Sequence, residues 1–287
     1  MIAVTDIGSN SIRFAIYNPC QKGAENIFGK RYPVGLAAYV TEGALSERGI
    51  EVCANVLSEI KSITAALNIQ EVLLFATASL RNITNSAAVL DRIRQLTGLN
   101  IDIISGEQEA AYDLLACGEE LDDSHMICDI GGGSTELIFA DKTMYSFPYG
   151  SLKAFKSLQS ETVGTDEEYL QVSAAFYDLL KAVKPQKIRK LTAIGGSMQA
   201  LAAMNSRLGL STQFEDVDKL FELLKTDRKA VINCLLQCSP DRIHTFFCGL
   251  AILRAIGHYF SIEEVAVNFN SCREGYLYAY LASKKED

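Results

Sequence analysis

Apolar positions along the chain follow two periods. Short runs of Ile, Val, Leu and Phe fit strands, and longer stretches with apolar residues three and four apart fit helices. The run Ala3–Ile16 reads as strand, turn and strand, and Ile127–Phe139 repeats that order. Placing Asp6 on Asp129 puts Gly8 on Gly131, Ser11 on Ser134 and Arg13 on Glu136, an offset of 123 residues. A repeat of this length is the size of a small domain. After the first hairpin the pattern predicts a strand near 26–34, a helix from about Ser46, a strand over 71–77, a helix over 85–96 capped by Asn85, a strand over 101–104 and a helix over 107–117. After the second it predicts a strand over 143–147, a helix over 166–183, a strand over 190–194 and a helix after Gly196. Further helices between 217 and 260, a strand over 265–268 and a last helix from Arg273 complete the chain. Such alternation predicts an α/β protein of two similar domains, 1–118 and 119–270. The boundary falls in the polar stretch Gly118–Ser124, and the helix over 273–285 is free to return to the first domain.

With 48% hydrophobic residues, 287 positions suffice for two separate cores. The net charge of −8, from 35 acidic and 27 basic side chains, argues against nucleic acid or an anionic membrane as partner. No stretch approaches the roughly 20 apolar residues that cross a bilayer, and no basic leader precedes the first strand, so a cytoplasmic protein is expected. The eight cysteines are scattered through apolar patterns and read as reduced, buried thiols. Cys234, Cys238, His244 and Cys248 lack the tight knuckle of a structural zinc site, and core packing is the better reading.

Chemistry is concentrated at the repeated hairpins. A Gly/Ser turn directly after a buried strand lets backbone N–H groups converge on an anion, because no side chain stands in the way. Gly8, Ser9, Asn10 and Ser11 form one such cradle, and Gly131, Gly132, Gly133, Ser134 and Thr135 the other. One alone is more often an ordinary hairpin turn, but two in register, each after an aspartate, point to phosphate. Asp6 and Asp129 then supply hard oxygens of the kind Mg2+ prefers.

The motifs D-I-G-S-N-S-I-R at Asp6–Arg13, A-T-A-S-L-R at Ala76–Arg81 and I-I-S-G-E-Q-E-A at Ile103–Ala110 resemble, in order, those of the exopolyphosphatase / guanosine pentaphosphate phosphohydrolase (Ppx/GppA) family. So do D-I-G-G-G-S-T-E at Asp129–Glu136, G-G-S at Gly195–Ser197 and C-R-E-G at Cys272–Gly275. The resemblance implies two RNase H-like domains of the actin, sugar kinase and heat-shock chaperone superfold, with the active site in the cleft between them. It implies Glu109 as the catalytic base for an attacking water, and Glu136 as a second essential glutamate. Arg81 becomes a phosphate contact supported by Arg13, and Gly195, Gly196, Ser197 and Arg273 become further substrate contacts. Asp6, Asp129 and Glu136 become ligands for Mg2+ or Mn2+. The implied reaction is release of terminal phosphate from inorganic polyphosphate, with guanosine pentaphosphate as the alternative substrate and a homodimer as a candidate assembly. The chain stops at Asp287, so the resemblance is to a short form without the C-terminal helical domains of longer members.

Two departures stand out: Gln108 where the family commonly has Glu, and Ser271-Cys272 in place of Gly-Leu before Arg273. The first raises the question of the base's proton affinity. An ATP-dependent kinase or chaperone on the same superfold would need an adenosine pocket, which Gly195–Ser197 matches only briefly. A non-catalytic polyphosphate or alarmone sensor is the other rival, disfavoured by the presence of both Glu109 and Glu136.

Overall fold

The computed structural model describes residues 1–20, 23–118 and 121–286. The chain forms two compact units. The first comprises Met1–Tyr112 together with the C-terminal helix from Cys272; the second is Asp113–Ser271. The expected boundary at residues 118 and 119 touches residues 119–120, which lie outside the described residues.

The first unit contains, in chain order, β1 (Ile2–Ile7), β2 (Ile12–Cys20), β3 (Gly23–Tyr32), β4 (Val40–Thr41), β5 (Ala44–Leu45), α1 (Glu47–Ala66), β6 (Glu71–Ala76), α2 (Ala78–Arg81), α3 (Ser86–Thr97), β7 (Asp102–Ile103) and most of α4 (Gly106–Cys117). Its main sheet runs β3-β2-β1-β6-β7, with β1 antiparallel to β2 and parallel to β6. All six residues of β1 are buried, as a strand covered on both faces requires. One face packs on α1 and α3 through Phe14, Leu57, Ile60, Val89 and Ile93. The other packs on the final helix through Val4, Tyr17, Phe75 and Leu277.

Local chemistry sets the element ends. Ser46 caps α1, its Oγ accepting from Gly49 N at 3.3 Å. Asn85 precedes α3 as expected, yet its side chain makes no cap. Instead it donates to Leu45 O and accepts from Leu45 N, both at 2.9 Å, tying β5 to the helix start. That tertiary pairing satisfies a backbone N–H and C=O together, which a cap could not do.

The second unit contains β8 (His125–Ile130), β9 (Thr135–Phe139), β10 (Met144–Phe147), α5 (Ser151–Lys156), α6 (Asp166–Leu180), β11 (Lys190–Ile194), α7 (Gly196–Leu208), α8 (Glu215–Thr226), α9 (Arg228–Cys238), α10 (Phe246–Phe260) and β12 (Glu264–Val267); the chain then enters α11 (Cys272–Glu286). Its sheet runs β10-β9-β8-β11-β12, the same arrangement as in the first unit. Thr165 and Glu168 close a reciprocal capping box at the start of α6. Helix α10 is apolar on nearly every side and is buried accordingly. Cys234 and Cys248 belong to this core, with Cys238 at its margin. No helix among the described residues is long and apolar enough to cross a membrane.

Candidate functional site

The repeat seen in the sequence is a repeat of geometry. Gly8 N donates to Ser11 O at 3.1 Å and Gly131 N donates to Ser134 O at 3.0 Å, closing two turns of the same form. In the first ladder Asp6 opposes Arg13 and Ile7 opposes Ile12; in the second Asp129 opposes Glu136 and Ile130 opposes Thr135.

The loop carbonyls are turned into the protein. Ser9 O and Asn10 O accept from Ala37 N and Gly35 N at 3.0 and 2.9 Å. Gly131 O and Gly132 O accept from Ser151 N and Leu152 N, both at 2.9 Å, at the start of α5. This approach is close enough to dictate sequence: a Cβ on Gly150 would lie 2.6 Å from Gly131 O. With carbonyls engaged behind, the loops are suited to offer N–H donors to an anion. The side chains are less available than expected. Thr135 is fully buried and its hydroxyl donates to Tyr149 O at 2.8 Å.

Arg81 and Glu109, far apart in sequence, are brought together in the first unit. Arg81 Nη1 donates to Glu109 Oε2 at 3.0 Å and to Ile104 O at 2.8 Å. Glu109 sits in the first turn of α4, where the helix dipole favours a carboxylate, and is 6% exposed. The departure at Gln108 has a plain structural account. Gln108 Oε1 accepts from Ser105 N at 2.9 Å and Ser105 Oγ accepts from Gln108 N at 3.1 Å, forming a capping box at the start of α4. Gln and Glu serve equally in that position. The side chain is engaged in the cap rather than paired with Glu109.

The three expected metal ligands have different surroundings. Asp129 and Glu136 are buried ladder partners, and Glu136 Oε1 accepts from Ser146 Oγ at 2.8 Å. Opposed on a ladder, the two carboxylates bring hard oxygens to one edge of the second glycine loop. The pair thus suits a Mg2+ or Mn2+ ion, which takes one or two carboxylates and keeps several waters. Asp6 is ion-paired: its Oδ2 accepts from Arg13 Nε at 2.8 Å and Nη2 at 2.5 Å. Asp6 Oδ1 is buried and makes no hydrogen bond among the described residues, which leaves one oxygen for a water or cation. Among the described residues no group of three or more Asp, Glu, His or Cys side chains is placed to hold an ion.

The expected contacts near the chain's later motifs divide. Gly195, at φ 111°, ends β11 against β8, where a Cβ would lie 2.5 Å from Ile130 O and 3.0 Å from Asp129 Oδ1. Ser197 is buried and donates to Thr245 O at 3.4 Å, so its hydroxyl faces the core. Arg273 is committed to Glu274, with Nη2 to Oε1 at 2.7 Å, and its Nε donates to Tyr17 OH at 2.8 Å. Tyr17 OH in turn donates to Glu274. Although burial disfavours its charge, Glu274 keeps Arg273 protonated, whereas burial pushes the Tyr17 phenol up. Arg273 is thereby a packing ion pair of the first unit, built on α11 and β2.

Arg242, which the sequence does not single out, lies against the glycine that opens α7. It ends a short 3-10 turn, is 9% exposed, and its guanidinium covers the start of α7 so closely that a Cβ on Gly196 would lie 2.0 Å from Nη2. The Ser-Pro before Asp241-Arg242 was the only local signal, and it marks a turn rather than a ligand.

Two units with one strand arrangement and matched strand-end glycine loops define a duplicated α/β protein. The chain belongs to the Ppx/GppA phosphatase family, whose model matches residues 22–284. A guanosine-5'-triphosphate,3'-diphosphate pyrophosphatase of Vibrio cholerae is 27% identical over 308 residues, covering 100% of this chain and 60% of that protein. The chain therefore spans about 60% of the length of this curated relative. An exopolyphosphatase structure from Cytophaga hutchinsonii matches with a TM-score of 0.85 at 20% identity, covering 98% of both chains. The Aquifex aeolicus family member matches with a TM-score of 0.77 at 23% identity, covering 100% of this chain and 99% of that one. These likenesses establish the fold.

Proposed function

We propose that the chain hydrolyses the terminal phosphoanhydride of inorganic polyphosphate in the presence of Mg2+ or Mn2+. The observation that carries this reading is the contrast between the two otherwise matched ladders: Asp6 faces Arg13 in one and Asp129 faces Glu136 in the other. One half is equipped for an anion and the other for a cation. In the first unit, Gly8–Ser11, Arg13 and Arg81 bind phosphate, and Glu109 takes the proton of the attacking water. In the second, Gly131–Thr135 offers backbone donors while Asp129 and Glu136 hold the metal, which supplies charge neutralisation at the phosphoryl oxygens when bound.

Guanosine pentaphosphate is the second reading, favoured by the names of the curated relatives. Phosphate release should be measured on polyphosphates of defined length, on guanosine pentaphosphate and on ATP, each with EDTA and with Mg2+ or Mn2+ restored. Metal-dependent release from polyphosphate exceeding that from ATP supports the proposal. A folded protein that releases no phosphate from polyphosphate would refute it, and release from guanosine pentaphosphate alone would select the second reading.

A further inference from the structure

Strand β3 is the outer edge of its sheet and, among the described residues, pairs only with β2. A ten-residue strand with an open edge is a template for another strand unless something blunts it. The six consecutive residues Glu25–Lys30 are exposed, and two of them are large and apolar, Ile27 at 49% and Phe28 at 43%. Phe28 is held by an edge-to-face contact with Phe14, the ring centroids 6.0 Å apart.

An irregularity in the pairing with β2 selects the partner. Phe28 pairs with Ile16 and Asn26 with Tyr17, so Ile27 is an extra residue on β3, a β-bulge. Lys30 pairs with Phe14 and Glu25 with Asn18. Phe14 and Asn18, four positions apart on β2, share a face, so Lys30 and Glu25 share it too, although they are five positions apart. A regular strand laid along the outer edge would fall out of step at Ile27, because its faces alternate without interruption. A second copy of β3, run antiparallel, carries the same extra residue and stays in step. With a two-fold axis between Ile27 and Phe28, Glu25 meets Lys30 of the second copy, Asn26 meets its Gly29 and Ile27 meets its Phe28. Both charge pairs are then opposite in sign, and the exposed apolar residues meet at the centre. Lys30 Nζ already donates to Glu59 at 2.6 Å, but both side chains are nearly half exposed and an ammonium has three protons, so a second carboxylate is accommodated.

We propose that β3 is the interface of a symmetric dimer of this chain, in which the first-unit sheets of two copies join edge to edge. Six exposed residues a side are fewer than the roughly 20–30 of a standard interface, so the dimer is reversible and forms as concentration rises.

The test is sedimentation velocity of the full chain over a concentration series, with melting curves to establish folding. Wild type should pass from monomer to dimer as concentration rises. Glu25→Lys and Lys30→Glu each turn two attractive pairs into two repulsive ones and should weaken dimerisation about tenfold or more. Mixed in equal amounts, these two variants should regain wild-type affinity as a heterodimer, since every cross-strand charge pair is again opposite in sign. Ile27→Asp should leave a monomer at the concentrations where wild type is dimeric, which tests the edge even if Lys30→Glu does not fold. A wild-type chain that stays monomeric, a dimer that Glu25→Lys or Ile27→Asp leaves unchanged, or a mixture that associates no better than its components would overturn the proposal.

Discussion

Replacing Gly195 by alanine should damage the second unit far more than the same change at Gly209. Both glycines have positive φ, 111° and 67°, but their surroundings differ. Gly195 has ψ 160°, a region that only glycine enters readily, and forcing alanine there costs about 1–3 kcal/mol. Its new methyl would also meet Ile130 O at 2.5 Å and Asp129 Oδ1 at 3.0 Å. Backbone atoms of a central strand cannot move aside cheaply, and overpacking of this kind adds about 1–3 kcal/mol. At Gly209 nothing lies within 4 Å of the added carbon, and the left-handed conformation alone costs about 1 kcal/mol. For a unit of this size each kcal/mol moves the melting temperature by about 2–4 °C. Thermal unfolding followed by circular dichroism should therefore show a drop of about 5–20 °C for Gly195→Ala and about 2–4 °C for Gly209→Ala. Melting of Gly195→Ala no lower than that of Gly209→Ala would show that β11 does not press on β8 as described.

Glu109→Gln should lower kcat by about 10^2-fold or more while leaving the chain folded, as checked by phosphate release and circular dichroism. Gln108→Glu should leave stability within about 0.5 kcal/mol, because either side chain completes the capping box with Ser105; a large gain or loss in chemical denaturation would contradict that account. Hydrogen bonds from Ser160, then from the backbone of Thr165, Ser160 and Gln159, hold the Glu168 carboxyl down at about 2, against an ordinary value of 4.5. Because the folded value is depressed, this stabilisation is present above pH 4.5 and is lost as pH falls towards 2. Glu168→Gln should thus be less stable than wild type by about 1 kcal/mol at neutral pH, with the gap closing in acid melts.

Much of the fold was readable because it rests on local signals. The strand over 71–77 emerges as Glu71–Ala76, and the helix expected from Ser46 begins at Glu47 with Ser46 as its cap. The duplicated hairpin was readable because Asp, Gly and Ser recur at one spacing, and their ladder registers coincide. What escaped was decided by partners distant in sequence. Asn85 caps nothing because Leu45 offers both its N–H and its C=O. Ser197 turns inward because α10 lies against it, where a Cβ on Gly249 would come within 2.7 Å of its Oγ. Arg31 has no local signal in the sequence, and only strand pairing sets it opposite Arg13. The pairing of Arg81 with Glu109 lies between these cases: each was singled out separately, and only the fold of the first unit brings them into contact.

The return of α11 to the first unit has a consequence for synthesis. The second unit is one uninterrupted stretch, Asp113–Ser271, whereas the first lacks the cover for one face of its sheet until residues from Cys272 onward leave the ribosome. The half made first is therefore finished last, contrary to the usual N-terminal-first order of domain folding. During that interval Val4, Tyr17 and Phe75 wait without Leu277, exposing an apolar surface to aggregation or to chaperones. The closing contact tolerates little variation, since a Cβ on Gly275 would fall 1.7 Å from Tyr112 O. A substitution there should reduce the yield of folded protein from nascent chains before it touches any catalytic group.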